Sequence, residues 1–345
     1  MKQNLFYVFS LVAALAGCSQ SEYSPEDNAP VEIRLGSTTQ SVVGTTRAPV
    51  QGTNSPTIKA KVLLSGTRSA YTQATDKTNR FFEGTMTFTS GNATSFDNTK
   101  QYYPSDGTSV YLCGLYPDTG WEKISDTSTA DYTLDGKTDV MAAAQVETSK
   151  TDGQGTPDYR TLAFSHLLTN LIIKAKVDAS AGAPAADVIQ GIWGDITSLS
   201  LVKAGDATPN NKVTVSLADG TAATASAFSG GTAVGFYKAA GTALADYTYE
   251  DNAFADTAIP ATDTTIAYSL IAPIEAKGGS EKDFELLVKT ANNTIGITVP
   301  LSLSVAGDTQ GKYCEVTLTF KGNEIMAKAT IADWKEGGSA SGSLQ

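Results

Sequence analysis

The stretch Tyr313-Cys314-Glu315-Val316-Thr317-Leu318-Thr319-Phe320 decides the fold. Cys314, Val316, Leu318 and Phe320 recur at every second position, so an extended backbone puts all four on one face. Immediately downstream, Ile325, Ala327, Ala329 and Ile331 alternate with Met326, Lys328, Thr330 and Ala332, and Asp333-Trp334 closes the run. A Gly/Ser-rich tail, residues 337–343, follows. Working back along the chain, residues 294–305, 284–290, 265–271, 212–217 and 196–202 read as strands. In the first half the same holds for 58–64, for 81–88 with Phe82, Met86 and Phe88 in phase, for 110–116 and 162–164, and for the long apolar run 167–177. Only residues 140–146 carry a weak helical pattern. Strands at this spacing, without helical crossovers, imply an all-β chain of antiparallel sandwiches. The Ala/Gly/Pro-rich patch at 178–187 reads as a linker, which divides the chain into an N-terminal sandwich at 48–178 and a C-terminal one at 179–345.

The bulk composition agrees. At 345 residues the chain is long enough for two ordinary domains, and 41% hydrophobic with 18% charged residues excludes both a disordered chain and a membrane bundle. Twenty-five basic against 36 acidic side chains give a net charge of −11, which repels phosphate backbones and excludes nucleic acid as a partner.

The N-terminus is a targeting segment. Met1-Lys2-Gln3-Asn4 precedes an apolar run over residues 5–16, too short to span a bilayer as a helix but of the length of a secretory core. Leu15-Ala16-Gly17-Cys18 looks like a bacterial lipobox, which makes 1–17 a lipoprotein signal peptide and the Cys18 thiol the site of lipid attachment. The other reading is an ordinary cleaved signal beside a chance cysteine. Residues 19–30 are polar and proline-flanked, a tether. Val31-Glu32-Ile33-Arg34-Leu35 then alternates cleanly and continues more weakly to residue 43, a strand with Val31, Ile33 and Leu35 facing inward. It stops at Gly44-Thr45-Thr46-Arg47-Ala48-Pro49, an exposed connector.

No chemistry stands out. The one histidine, His166, reads as hydrogen-bonded at a strand start, and no G-x-S-x-G elbow accompanies it. The supply of His and Cys is too small for zinc. Asp152-Gly153-Gln154-Gly155-Thr156-Pro157-Asp158 lacks the alternating ligands and closing Glu of a calcium loop and reads as a turn. No catalytic residue, metal or cofactor is expected. Cys113 and Cys314, placed in different domains, read as two separate buried thiols, with a disulfide as the alternative. Trp334 reads as a core aromatic. Tyr237, Tyr247 and Tyr249 suit either a binding surface or cross-strand packing.

Taken together, the lipobox at Cys18, the strand from Val31 with Thr46-Arg47-Ala48-Pro49 after it, and Asp139-Val140-Met141 leading to Leu162-Ala163-Phe164-Ser165-His166-Leu167-Leu168-Thr169-Asn170-Leu171 carry a likeness, completed by the closing Ile331-Ala332-Asp333-Trp334-Lys335-Glu336-Gly337. Over nearly the whole chain it resembles the Bacteroidetes fimbrillin family, the Mfa-like subunits of type V pili. The resemblance implies two tandem Greek-key, transthyretin-like sandwiches and no enzyme activity. It also implies export as an outer-membrane lipoprotein and cleavage by an arginine-specific protease, here between Arg47 and Ala48, which removes 18–47 as a propeptide. The groove left by Val31, Ile33 and Leu35 then takes a C-terminal strand from a neighbouring subunit. On this chain the donor positions are Ile325, Ala327, Ala329, Ile331 and Trp334, and the product is a cell-surface fimbrium of like or unlike subunits that supports adhesion. Burying the three residues of the first strand contributes roughly 5–9 kcal/mol, comparable to a domain's whole stability of about 5–15. Two other readings stay open at this point: a monomeric outer-surface lipoprotein that binds glycan or another ligand, and a hydrolase of unrecognised type.

Overall fold

All four alternating residues that decide the fold, Cys314, Val316, Leu318 and Phe320, are fully buried. They belong to a computed structural model that describes residues 29–39, 57–68, 71, 81–89, 92–122, 124, 128–224, 227–242, 248–279, 281–303 and 306–333. Strands are numbered β1–β21 along the chain. The sheet carrying the four residues is ordered β14 (Thr248–Ala253), β13 (Tyr237–Ala240), β15 (Thr264–Ile271), β9 (Thr169–Val177), β20 (Lys312–Phe320), β21 (Ile325–Asp333). Its central pair, β9 with β20, runs parallel. Within β9, Leu171, Ile172 and Ile173 are all fully buried, as burial on both faces of a central strand allows, while Lys174 and Lys176 keep a polar side toward its end.

Leu199 and Leu201 of β10 (Ile196–Lys203), Leu286 and Val288 of β17 (Phe284–Thr290) and Val299 and Leu301 of β18 (Asn293–Leu301) join the same core from a three-stranded sheet. The short pair β16 (Glu275–Ala276) and β19 (Gly307–Asp308) lies beside a buried polar knot. There the Thr169 and Thr309 hydroxyls meet at 2.6 Å, and the Ile274 amide donates to Thr309 Oγ1 at 2.7 Å.

A second six-stranded sheet is ordered β1 (Leu35–Thr39), β8 (Arg160–His166), β7 (Met141–Thr148), β4 (Val110–Tyr116), β2 (Thr57–Ser65), β3 (Phe82–Thr89). Ile58, Val62, Met86, Phe88, Leu112 and Phe164 fill a smaller, separate core on one face. Leu63, Cys113, Leu115 and Ala142 point the other way and join the larger core. Gly114 is required where these strands cross: a Cβ there would lie 2.5 Å from Phe164 Cζ. The remaining sheet runs β12 (Thr221–Thr224), β11 (Lys212–Ser216), β6 (Thr129–Thr133), β5 (Trp121–Glu122).

The chain is all-β as expected, with four differences. Residues 140–146 are not helical: Val140 precedes β7 and 141–146 lie in it, because pairing to β4 and β8 overrides the weak helical preference of its three alanines. Two strand pairs, β1 with β8 and β9 with β20, are parallel where antiparallel pairing was expected. Strand pairing also crosses the division expected at 178/179: β9 pairs with β15 and β20, and β6 pairs with β11. The segment expected to be a linker leads into a helix, α2 (Ala186–Trp193), after a single helical turn α1 (Lys150–Gly153) earlier in the chain. Ile189 and Trp193 of α2 are buried four residues apart, and Trp193 Nε1 donates to the Lys321 carbonyl at 2.6 Å.

Cys113 and Cys314 are both free and fully buried, and burial pushes each thiol up to about 12. Both lie in the larger core, not in two separate ones. A form beginning at Ser19 should therefore show no thiol reactive to Ellman's reagent when native and two in guanidinium. Fewer than two after denaturation would reveal a disulfide.

Candidate functional site

The first described segment, residues 29–39, owes its place to its alternation. Ile33 and Leu35, two residues apart, project to one side and are fully buried in the smaller core, and Val31 packs against it half-buried. Their backbone is bonded on two sides. The Ile33 amide donates to Gln101 O at 2.8 Å, the Tyr103 amide to Val31 O at 2.9 Å, and Leu35 and Thr94 exchange bonds at 2.9 and 2.8 Å. On the other edge Leu35 through Thr39 run parallel to β8, in register from Arg160 to Phe164. The first strand thus fills a groove between β8 and the irregular segment 94–103.

Polar contacts hold the solvent side. Lys100 Nζ sits 2.9 Å from Glu32 Oε2, and Arg34 pairs with Asp158. Partial burial raises the Glu32 carboxyl, but hydrogen bonds from Lys100 and Ser95 and the charges of Lys100 and Arg34 outweigh it and hold the group below its ordinary value. Both ion pairs are partly exposed and contribute little to stability. The two buried aliphatics contribute about 3–6 kcal/mol together. Apolar burial dominates.

A cover closes over the strand. Gly36 is buried beneath Tyr159, whose Cε2 would lie 2.7 Å from a Cβ at that position. Gly153, at the end of α1, is equally confined: its Cβ would meet Tyr103 at 2.4 Å and Val31 Cγ1 at 2.8 Å. The segment from α1 to Tyr159 contains both carboxylates weighed as calcium ligands. Asp152 accepts the Ser149 amide at 2.8 Å and hydroxyl at 3.0 Å and pairs with Arg160, while Asp158 is taken by Arg34. The turn reading holds. Among the described residues no group of three or more His, Cys, Asp or Glu side chains is placed to hold a metal.

Val31, Ile33 and Leu35 therefore come together in one groove. Of the donor positions, Ile325 and Ala329 are buried and Ala327 and Ile331 half-buried, at the edge of the other six-stranded sheet. Met326 on the opposite face is 48% exposed. Cys18, Arg47, Ala48, Trp334 and Tyr247 lie outside the described residues. Tyr237 and Tyr249 pack on Tyr268 with ring centroids at 5.9 and 4.9 Å, so cross-strand packing accounts for them. His166 ends β8 instead of starting a strand; its Nδ1 is 2.8 Å from Asp139 Oδ2, with both side chains at most 3% exposed and closed to any substrate. Sequence reasoning did not find Tyr159, Gly36, Tyr103 or segment 94–103, since none of them lies in a periodic apolar run.

No curated protein matches the chain. Three crystal structures with the same fold are a protein from Bacteroides uniformis and one from Bacteroides ovatus, both named for a presumed part in cell adhesion, and a fimbrial protein from Bacteroides vulgatus. The first two are 16% identical, with TM-scores of 0.50 and 0.51, each covering 89% of this chain and 98% of its own. The third is 15% identical with a TM-score of 0.50, covering 88% and 99%. A match to the family described as fimbrillin-like runs over residues 46–334, and with that extent the chain belongs to the fimbrillin-like family.

Proposed function

We propose that the chain is a structural subunit, in the shaft or at the tip, of a cell-surface pilus that supports adhesion. It is exported with its lipid on Cys18 and held at the outer membrane until an arginine-specific protease cuts between Arg47 and Ala48. It is then polymerised by strand exchange. The observation that carries this reading is the burial of Ile33 and Leu35 at zero exposure in a nine-residue segment that precedes the cut. After cleavage only noncovalent contacts retain residues 31–39. Their departure bares the apolar face of the smaller core together with the backbone groups of Thr94, Gln101, Tyr103 and β8, a combination that recruits an extended strand. The strand offered to a neighbour is the C-terminal one, with Ile325, Ala327, Ala329, Ile331 and Trp334 as its donor positions. Membership of the fimbrillin-like family supports the pilus assignment. The reading involves no catalytic residue, metal or cofactor.

In cells that make the protein, the surface form should begin at Ala48 and run as SDS-resistant ladders, whereas an Arg47→Ala variant should stay monomeric with lipid on Cys18. Ladders from the variant would defeat the mechanism. In urea denaturation of the uncut chain, Ile33→Ala and Leu35→Ala should each lower stability by about 2–5 kcal/mol. Arg34→Ala should cost less than about 1 kcal/mol, because its ion pair is 40% exposed on the arginine side.

A further inference from the structure

The groove under the first strand has a definite shape. Ile33 and Leu35 occupy neighbouring sockets, about 7 Å apart along the strand, and both are shielded completely from solvent. The next position is closed to side chains by Tyr159, 2.7 Å from where a Cβ on Gly36 would stand. A strand that fits as β1 does must carry bulky aliphatic residues at i and i+2 and a glycine at i+3.

The chain's own C-terminal strand does not meet this demand in any register or direction. Its inward row reads Ile325, Ala327, Ala329, Ile331, so the isoleucines stand six residues apart with alanines between them. The neighbours of Ile325 at a distance of two are Asn323 and Ala327, and those of Ile331 are Ala329 and Asp333. Turning the strand over presents Met326 beside Glu324 or Lys328, which is no better. Nowhere from Lys321 to Gln345 do two bulky aliphatic residues stand two apart. One of the two sockets would always receive an alanine or a polar side chain. Truncating a single aliphatic in a packed site weakens an interaction by about a hundred-fold or more. In its own sheet the same strand meets a shallower demand, since Ala327 and Ile331 are only half-buried there.

We infer that this groove takes its strand from a chain of different sequence, bearing two bulky aliphatics two apart with glycine next, and not from the C-terminal strand of a second copy. The inference rests on the strand-exchange reading above and names the partner that reading leaves open. The subunit then sits between unlike neighbours, or next to one, and in a pure solution only the released first strand, and no C-terminal strand, fits its groove.

The test uses the purified chain from Ser19, cut after Arg47 in the presence of fluorescent peptides. One peptide reproduces residues 31–39 and the other residues 324–334. The first should be retained at concentrations at least a hundred-fold below the second, and the cut chain alone should stay monomeric. Placing alanine at the Leu35 position of the first peptide should reduce it to the level of the second. Alanine at the Gly36 position should weaken it too, and Tyr159→Ala in the protein should restore that loss. Equal retention of the two peptides, or ladders from the cut chain alone, would overturn the inference while leaving strand exchange intact. If a cut chain that keeps its β-sheet circular dichroism retains neither peptide, strand exchange itself fails, and the inference with it.

Discussion

The seating of Ile33 and Leu35 is the contact on which the closure of the smaller core depends. The N-terminal sheet buries Ile58, Val62, Met86, Phe88, Leu112 and Phe164 on one face, and the opening segment completes the cover over them. It does so from an unusual position, parallel to β8 on one edge and bonded to the irregular 94–103 segment on the other. Because side chains on a strand alternate, a slip of one residue would put Glu32 and Arg34 into the core and both aliphatics outside. The register is fixed by that difference more than by the ion pairs to Lys100 and Asp158, which sit in partial contact with water.

The two ends of the folded chain are held by opposite means. All nine residues of β21 pair with β20, yet of its inward side chains Ala327 and Ala329 are small and Ile331 is half-buried, which leaves Ile325 as the one large buried residue among them. The opening segment makes fewer ladder bonds but plants two large side chains at zero exposure. Main-chain hydrogen bonds are nearly indifferent to sequence, whereas sockets discriminate between side chains. A strand retained mostly by its ladder is one that can be offered to many acceptors. A groove defined by two deep sockets and a tyrosine cover is one that chooses. Under the strand-exchange reading, donor and acceptor are thus held to different standards of specificity.

Much of this architecture was legible in the alternation of apolar residues. The runs containing Val110, Phe284 and Cys314 each became strands with almost the expected limits, because a half-buried strand imposes period two directly on its sequence. The inward row of Val31, Ile33 and Leu35 was legible for the same reason. Three kinds of feature were not. The parallel pairing of β9 with β20 depends on partners 140 or so residues apart, and the sequence of one strand does not name its neighbour. The pairing of β6 with β11, which ties the two halves together, was not legible either: the pattern at 212–217 marks a strand but does not name the short β6 as its partner. The cover over the groove comes from Tyr159, Gly36 and Gly153, whose importance lies in distances of 2.4–2.8 Å that no spacing rule encodes.

If the opening strand leaves, as the strand-exchange reading requires, the division into two cores limits what is lost. Ile33 and Leu35 belong only to the smaller cluster, and the larger one, which holds Cys314, Val316, Leu318, Leu171 and Ile173, does not include them. The sheet that loses β1 also has a second face, with Leu63, Cys113, Leu115 and Ala142 embedded in the larger core. Removing the strand therefore empties one side of one sheet while β8, β7, β4, β2 and β3 remain paired and anchored from behind. Had the opening strand been central, its loss would have split the sheet and unfolded the subunit. At an edge, with an intact core beneath, its loss creates a groove whose walls are already in place.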